Sequence, residues 1–427
     1  MTPSSRPPVW LAAGVRTPFA RVEGGLRDLD AVSMSVIVAK HMAASLTSGR
    51  IDLAAWGAVA PSLGWSNIAR EVLLDAGMDP TIPAFTTVMA CATSMVGVFE
   101  TAGMLGEGGR DLALVGGAEC MTHVQIGLSQ PLSDRIRRFT EARDFGGRMR
   151  QLFGLKGKEV RLQIPRVANR TTGMSMGEHT EITAREWDIS RADQDLVALA
   201  SHENAIKAWD AGFFEGLVIP VNGLAKDEIP RRDTSAEKLA RLKPAFDRTS
   251  GHGTLTAGNS SPLTDGAASI WVATERGLSR LPAATPRVKL LDWELTSIDL
   301  HHEGLLMAPA YGIPRLLARH GLAYADIALW EIHEAFAAQV LAHIKAWEDK
   351  EFRRDKAGVS ADLGAFPRER VNPNGGSVAL GHPFGATGAR ILSQAVKELA
   401  QRPSGSLAIV SICADGGQGG MALLQAA

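Results

Sequence analysis

The chain alternates short apolar runs with segments of helical apolar spacing. Pro8-Val-Trp-Leu-Ala-Ala13 predicts a buried strand, and Ser33 to Ala44 carries the spacing of a helix packed along one side. Ala84 to Ala90 is extended and largely apolar, with β-branched Thr86 and Thr87, and it runs into Cys91. From Ala92 to Leu105 the residues are small or apolar on nearly every face, which predicts a central, buried helix. Gly108-Gly109 ends it, and Asp111 to Val115 is a short strand followed by Gly116-Gly117. The same order returns near the C-terminus. His382-Pro-Phe-Gly385 precedes a helix over Thr387 to Ala400, Pro403 to Gly405 breaks it, and Ser406 to Val410 is a strand leading to Cys413 and Gly416-Gly417. This is a repeat of architecture without residue identity. Two such αβ halves packed together put Cys91 and His382 at the N-termini of equivalent helices, near a pseudo-dyad.

Between the halves the rhythm changes. Met121 to about Ser261 is richer in charge and reads as an insertion carried on the first half. Within it, Ser190 to Phe214 is helical, with an N-cap signal at Ser190-Arg-Ala-Asp-Gln194 and a stop near Gly212. Pro131 to Gln163 holds nine basic residues (Arg135, Arg137, Arg138, Arg143, Arg148, Arg150, Lys156, Lys158, Arg161) against Asp134, Glu141, Asp144 and Glu159. Phe139, Phe145, Leu152 and Phe153 lie among them. Three readings stand: a solvated charged loop, a surface for a partner subunit or anionic lipid, and a zone that steers an anionic ligand. Ala273 to Arg287, with Gly277, Pro282 and Pro286, links to the second half. The expected division is residues 1–121 with 262–286, an inserted loop domain over 122–261, and a second half over 287–427.

Composition narrows the function classes. The 427 residues are 45% hydrophobic and 21% charged, as in a soluble globular protein, and with a net charge of -1 nothing in the overall balance suggests a nucleic-acid binder. Three cysteines without metal-ligand spacing argue against a disulfide framework or a zinc site, and fit a reducing, cytoplasmic compartment. Met1 to Pro8 lacks the apolar core of a secretory signal, and no run of about 18 apolar residues occurs.

The candidate chemistry sits where the apolar runs end. Cys91, before a buried helix, is placed for nucleophilic attack as a thiolate favoured by the helix N-terminus; a small buried core cysteine is the competing reading. His382, between Gly381 and Pro383, is the natural base, because imidazole titrates near neutral pH. His333 ends the strand Ile327 to Ile332 and opens a predicted helix over Glu334 to Asp349, so it can donate to a developing oxyanion. Cys413, with an ordinary pKa, can serve as acid and base. Cys120 has no base nearby in sequence and reads as packing. The glycine stretches match neither phosphate-loop nor dinucleotide spacing.

Together these segments resemble the thiolase family over nearly the whole chain and in order. The resemblance is carried by Val88-Met-Ala-Cys-Ala-Thr-Ser-Met95, Gly116-Gly-Ala-Glu-Cys-Met121, Gly253-Thr-Leu-Thr-Ala-Gly-Asn-Ser-Ser261 with Asp265-Gly-Ala-Ala268, His333-Glu-Ala-Phe336, Gly381-His-Pro383 and Cys413-Ala-Asp-Gly-Gly417; Arg16-Thr-Pro-Phe19 matches the usual start. It implies an α/β thiolase-like fold of two pseudo-symmetric halves, layered α-β-α-β-α, with an inserted loop domain. It further implies that Cys91 accepts the acyl group, that His382 activates it, that Cys413 shuttles the proton of the acetyl carbon, and that His333 and His382 polarise the thioester oxygen. The backbone N–H groups of Cys91 and Asp415 are then a second oxyanion hole. Phe246, Ser261, Ala335 and Phe336 line a pantetheine channel, and Arg231 meets the nucleotide end, with Arg232 adjacent. Coenzyme A is a co-substrate, and no cofactor or metal is held permanently. A homodimer or dimer of dimers is implied, and so are a hydratase/dehydrogenase partner subunit and acyl-CoA as ligand. His333, where many thiolases have asparagine, and Leu305-Leu-Met-Ala-Pro309 resemble the thiolase subunits of trifunctional β-oxidation complexes. Asp415 stands where glycine or alanine is usual, and Pro262 where glycine commonly follows the coenzyme A serine. The expected activity is cleavage of 3-ketoacyl-CoA. Acetoacetyl-CoA formation, a ketoacyl synthase and a non-catalytic acyl-CoA-binding subunit are the alternatives.

Overall fold

The apolar runs become strands whose pairing defines the architecture. The computed structural model describes residues 8–153 and 156–427, without the Lys158 side chain; that lysine and residues 1–7 therefore lie outside the described residues. The strands are β1 (Val9–Arg16), β2 (Ala20–Arg21), β3 (Leu53–Gly57), β4 (Ala84–Thr86), β5 (Leu112–Glu119), β6 (Gly127–Leu128), β7 (Leu162–Gln163), β8 (Thr264–Ala273), β9 (Arg287–Ser297), β10 (Ile327–Ile332), β11 (Leu407–Ala414) and β12 (Gln418–Ala426). The main sheet runs β10-β11-β12-β9-β1-β8-β5-β3-β4, with β2 paired to β8, while β6 and β7 form a separate ribbon. Within it, β1-β8-β5-β3 and β9-β12-β11-β10 repeat one pattern: antiparallel, antiparallel, parallel. β4 extends the first set in parallel, and Val371 bridges in parallel to Trp330 of β10 at the corresponding place. β1 and β9 join the two sets.

Two buried helices, Thr93–Met104 and Thr387–Leu399, occupy equivalent positions in the halves and meet at the centre. Small residues allow the contact: a Cβ on Gly388 would lie 2.2 Å from the Met95 nitrogen, and the Ala389 N–H donates to Ser94 Oγ at 2.8 Å. Met95, Val98, Ala389 and Leu392 are fully buried there. A larger residue at position 388 would force the helices apart. The central helices thus pin the starts of the two reactive segments against each other.

Two local expectations change. The helix after β10 starts at Ala337, because Phe336 is extended, bridges Ser260, and leaves the Ala337 N–H to bond the Asn259 carbonyl. Ala335 to Ala337 is therefore clamped by the 259–261 segment, while the His333 N–H donates to the Ser411 carbonyl. His382 lies five residues before the first helical residue, Thr387, with a 3-10 turn over Phe384–Ala386 between them, so it does not occupy the helix N-terminus.

The insertion packs unevenly. The Arg191–Asp210 helix is capped by Ser190, which accepts the Asp193 N–H at 3.1 Å. Ala184 and Ile189 join the apolar cluster that contains Met307, Ala338 and Cys413. Arg16 of β1 pairs with Asp227 through 2.5 and 2.8 Å bonds, tying the insertion to the sheet. The basic segment folds into two helices, Gln130–Glu141 and Phe145–Phe153, rather than a loop, and neither buries a described residue. Among the described residues, no helix is long and apolar enough to cross a membrane.

Candidate active site

Cys91 sits on a sharp turn between β4 and the Thr93–Met104 helix. Ala90, just before it, has φ 43°, a left-handed conformation that costs an L-residue roughly 1–2 kcal/mol. Thr93 holds the turn: its Oγ1 donates to the Ala90 carbonyl at 2.8 Å and accepts the Met89 N–H at 2.9 Å. The half-buried thiol is pushed up to about 12, chiefly by burial and then by the Asp415 carboxylate; the backbone N–H groups of Cys91 and Asp415 pull the other way. The expectation that the helix N-terminus would favour the thiolate therefore fails, because desolvation outweighs those dipoles. A thiol held neutral in this way attacks a carbon only with the help of a base.

That base is close. Cys91, His333 and His382 each offer one ligating atom, and the three atoms lie within 4.8 Å of one another. Such a set is also able to hold a metal ion; the expectation of no metal came from sequence spacing alone. The imidazole centroids are 4.2 Å apart. His382 Nδ1 is bonded to Thr387 Oγ1 at 2.7 Å and His333 Nδ1 to Ser377 Oγ at 2.8 Å. Both Nε2 atoms are buried without a partner among the described residues. Gly381, with φ 97°, makes the bend that presents His382, whose N–H donates to Thr264 Oγ1 at 2.8 Å. Neither ring titrates near neutrality as expected. Burial first, then the Arg390 charge, bring His382 down to about 3, while burial and then His382 push His333 well below its ordinary value.

Cys413 lies inside β11, opposite Gly419 on β12, and is 1% exposed. Its pKa is not ordinary: burial, then the adjacent Cys91, raise it well above the thiol range. Asp415 turns its carboxylate toward the insertion, where Oδ1 accepts from Asn169 Nδ2 at 2.8 Å and from the Gly416 N–H at 2.7 Å. Asn169 in turn accepts the Thr171 and Thr172 N–H groups, so Asp415 latches the loop after Cys413 to the segment around Asn169. A cavity of about 340 Å³ opens nearby, between the Met176–Glu186 helix and Leu300 to Gly304.

Ala335 and Phe336 are buried, and Phe336 meets Phe246 edge-on at 5.6 Å. The Ser261 N–H and hydroxyl both bond the Ala335 carbonyl at 3.0 Å, whereas Ser260 Oγ is the buried hydroxyl without a partner. Arg231 is exposed, and its N–H donates to His202 Nδ1 at 3.3 Å. Arg232 is committed to Asp210. Cys120 is buried, with its sulfur 3.4 Å from the Leu29 carbonyl. Four residues that matter here carry no role in the sequence reading. Glu119 accepts the Val59, Ala60 and Gly385 N–H groups, with burial raising it to about 7. Glu334 accepts from Ser201, Asn372 and Val378. Ser377 and Arg390 stand behind His333. Their signal was available: each is a polar residue inside an otherwise small or apolar run.

Comparison with known proteins gives the family. The family profile "Thiolase, N-terminal domain" matches residues 9–276 and "Thiolase, C-terminal domain" matches residues 284–426. A 3-ketoacyl-CoA thiolase of Pectobacterium atrosepticum is 37% identical over 421 residues, covering 97% of this chain and 95% of the relative. One from Yersinia enterocolitica is 36% identical over 423 residues, covering 97% and 96%. The crystal structure of the Acat5 thiolase from Ascaris suum in complex with coenzyme A superposes with a TM-score of 0.80 at 29% identity, covering 98% of this chain and all of that one. The fold and the extent of these matches establish that the chain belongs to the thiolase family.

Proposed function

We propose that the protein is a 3-ketoacyl-CoA thiolase, an acyltransferase that cleaves 3-ketoacyl-CoA with coenzyme A to acetyl-CoA and a shortened acyl-CoA. The observation that carries this reading is the meeting of the Cys91 sulfur with two imidazoles beside a second buried thiol. Cys91 gives its proton to His382 Nε2 as its sulfur bonds the 3-keto carbon. The bond between C2 and C3 then breaks, and its electron pair passes to the acetyl-CoA enolate, whose oxygen meets His333 and His382. Cys413 protonates the enolate carbon. The thiol of a second coenzyme A gives its proton to the Cys413 thiolate as its sulfur bonds the acyl carbon; the oxyanion is held by the N–H groups of Cys91 and Asp415, the bond between that carbon and the Cys91 sulfur breaks, and Cys91 takes back its proton from His382. Acetoacetyl-CoA formation uses the same groups in reverse. The pantetheine arm runs past Phe246, Ser261, Ala335 and Phe336. Arg231 rather than Arg232 meets the nucleotide, since Arg232 already holds an ion pair. The cavity beside Leu300 receives the distal acyl chain; Leu300 packs in the same apolar cluster as Cys413. The test is coenzyme A-dependent cleavage of 3-ketoacyl-CoA of several lengths, with iodoacetamide labelling of Cys91. Cleavage that is lost in Cys91→Ser, with labelling blocked by acyl-CoA, is expected; equal cleavage by Cys91→Ser refutes the reading.

The surroundings of the site bear on its partners. Ile126, Phe145, Phe153, Leu162 and Ile164 are each more than half exposed, within a stretch rich in arginine. Apolar side chains among positive charges suit an anionic lipid surface, and we assign residues 131–163 to peripheral membrane contact from the cytoplasmic side. Salt-sensitive binding to anionic vesicles that disappears on deletion of the segment supports this. No binding at low salt removes it and leaves a solvated charged surface, steering of an anionic ligand, or a protein partner (a hydratase/dehydrogenase subunit or a second copy of the chain in a dimer or dimer of dimers).

A further inference from the structure

We infer that Arg390 and Ser377 are positioning residues that hold His333 with its proton on Nε2, the tautomer opposite to that of His382. The assignment follows from counting protons. Thr387 Oγ1 lies 2.9 Å from the Pro383 carbonyl oxygen and 2.7 Å from His382 Nδ1. Two oxygens that close require a hydrogen between them, and a threonine hydroxyl has only one. Thr387 therefore donates to Pro383 and accepts from His382 Nδ1–H, which leaves His382 Nε2 bare.

At His333 the count goes the other way. Arg390 Nη2, which can only donate, lies 2.7 Å from Ser377 Oγ, and His333 Nδ1 lies 2.8 Å from the same oxygen. Among the described residues, His333 Nδ1 is the remaining acceptor for the Ser377 hydroxyl proton, and Ser377 is fully buried. Were the ring the donor, that proton would be buried with no partner, a costly arrangement. Ser377 therefore donates, Nδ1 is bare, and Nε2 carries the hydrogen. The shared space then holds one donor and one acceptor instead of two like ends.

Arg390 explains why the arrangement persists. It is 2% exposed, its Nε has no partner, its Nη1 is only 3.5 Å from Gln394, and no ion pair reaches it among the described residues. The bond to Ser377 is its best contact, and Glu331 and Glu334 offset its charge at longer range. Its charge also disfavours a proton on either ring. The result is a division of labour prepared before substrate arrives: His382 Nε2 is free to take the thiol proton, and His333 Nε2–H is ready to donate to an oxyanion.

The proton assignment stands on geometry, whereas its catalytic consequence rests on the proposed thiolase reading. Histidine ring 15N NMR of the full-length resting protein tests the former, with His333→Asn and His382→Asn for assignment. His333 is expected to show a bare Nδ1 and a protonated Nε2, and His382 the reverse. In Ser377→Ala the His333 signals become a mixture of tautomers, and kcat for cleavage falls roughly 10-fold or more while KM changes little. Arg390→Gln moves both readouts the same way; should it fail to fold, Ser377→Ala decides. A protonated His333 Nδ1 in the native protein, or a folded Ser377→Ala with native spectrum and native kcat, overturns the inference. The expected spectra without cleavage of any 3-ketoacyl-CoA support the tautomers and remove the thiolase reading, so the two failures are distinguishable.

Discussion

The first half delivers Cys91 from a short, strained connection, and the second delivers His382 from a longer one. Cys91 lies two residues before its helix, on a turn paid for by Ala90 at φ 43° and held by Thr93. His382 lies five residues before the equivalent helix, behind a glycine bend and a 3-10 turn. The four central strands of each half and the two central helices otherwise match. A cysteine side chain is short, so in the proposed reaction its own backbone must come to the substrate, which would put its N–H beside the oxyanion. An imidazole reaches further and can be set back, where Thr387 fixes its orientation. Equal scaffolds thus acquire different chemistry from the connections alone.

The sharpest test of that division compares the two thiols. Cys91 belongs to a turn and is half-buried, whereas Cys413 is locked within β11. If they have separate roles, Cys413→Ala forms the acyl-enzyme but turns over roughly 10²–10⁴-fold more slowly, as for loss of a general acid–base group. Acyl-enzyme trapping and mass measurement alongside steady-state rates separate the two steps. Loss of acylation in equal measure makes the two sulfurs one functional unit and breaks the comparison.

The glycine bend of the second half is the next point of attack. Gly381→Ala places a Cβ 2.9 Å from Thr264 Cγ2 at a φ of 97°, where L-residues are strained. Thr264 also holds the His382 N–H, so the ring moves with it. Displacement of a base by about 1 Å costs on the order of 100-fold in rate. kcat/KM should fall by about that factor while circular dichroism keeps the native spectrum. Unchanged turnover would mean that the bend does not position His382.

These features were unequally legible in the chain. The central helices and the Cys91 and His382 segments announce themselves, because a helix apolar on every face has only one place to go. Helix spacing places the start after β10 at Glu334, but the backbone of Asn259 to Ser261 captures Ala335 to Ala337 and delays the helix. That partner lies some 75 positions away, and no local pattern reports it. Glu119, Ser377 and Arg390 do stand out as lone polar residues in small or apolar runs, but what they bond is distant: the three N–H donors to Glu119 come from two distant loops, and Arg390 meets Ser377 from another segment. The acid–base character of the site was misjudged for a different reason. Residue type and helix position suggest a low thiol pKa and a near-neutral imidazole, but burial dominates both. The helices of the basic segment were hidden because charge suggested solvation, although Pro131 stands in the first turn of one.

Each half also contributes a carboxylate to the neighbourhood of Cys91, and the two are not alike. Glu119, from the first, is fully bonded by backbone N–H groups and buried. Asp415, from the second, is half-buried, latches to Asn169, and disfavours the thiolate more than Glu119 does. The sign of its effect is definite: a negative charge raises the thiol pKa, so removing it lowers that pKa and increases the thiolate fraction at a given pH. Asp415→Asn keeps an oxygen for Asn169 and removes the charge, whereas Asp415→Ala removes both. In each, the pH profile of iodoacetamide labelling of Cys91 should shift to lower pH, by up to about one unit given partial solvent screening. Labelling at a fixed alkaline pH then accelerates by less than about tenfold. A shift in Asp415→Ala that is absent from Asp415→Asn assigns the effect to the latch and not to charge. A shift to higher pH in both would show that the carboxylate assists the thiol's ionisation through its own backbone loop, and the second half would then activate the nucleophile of the first.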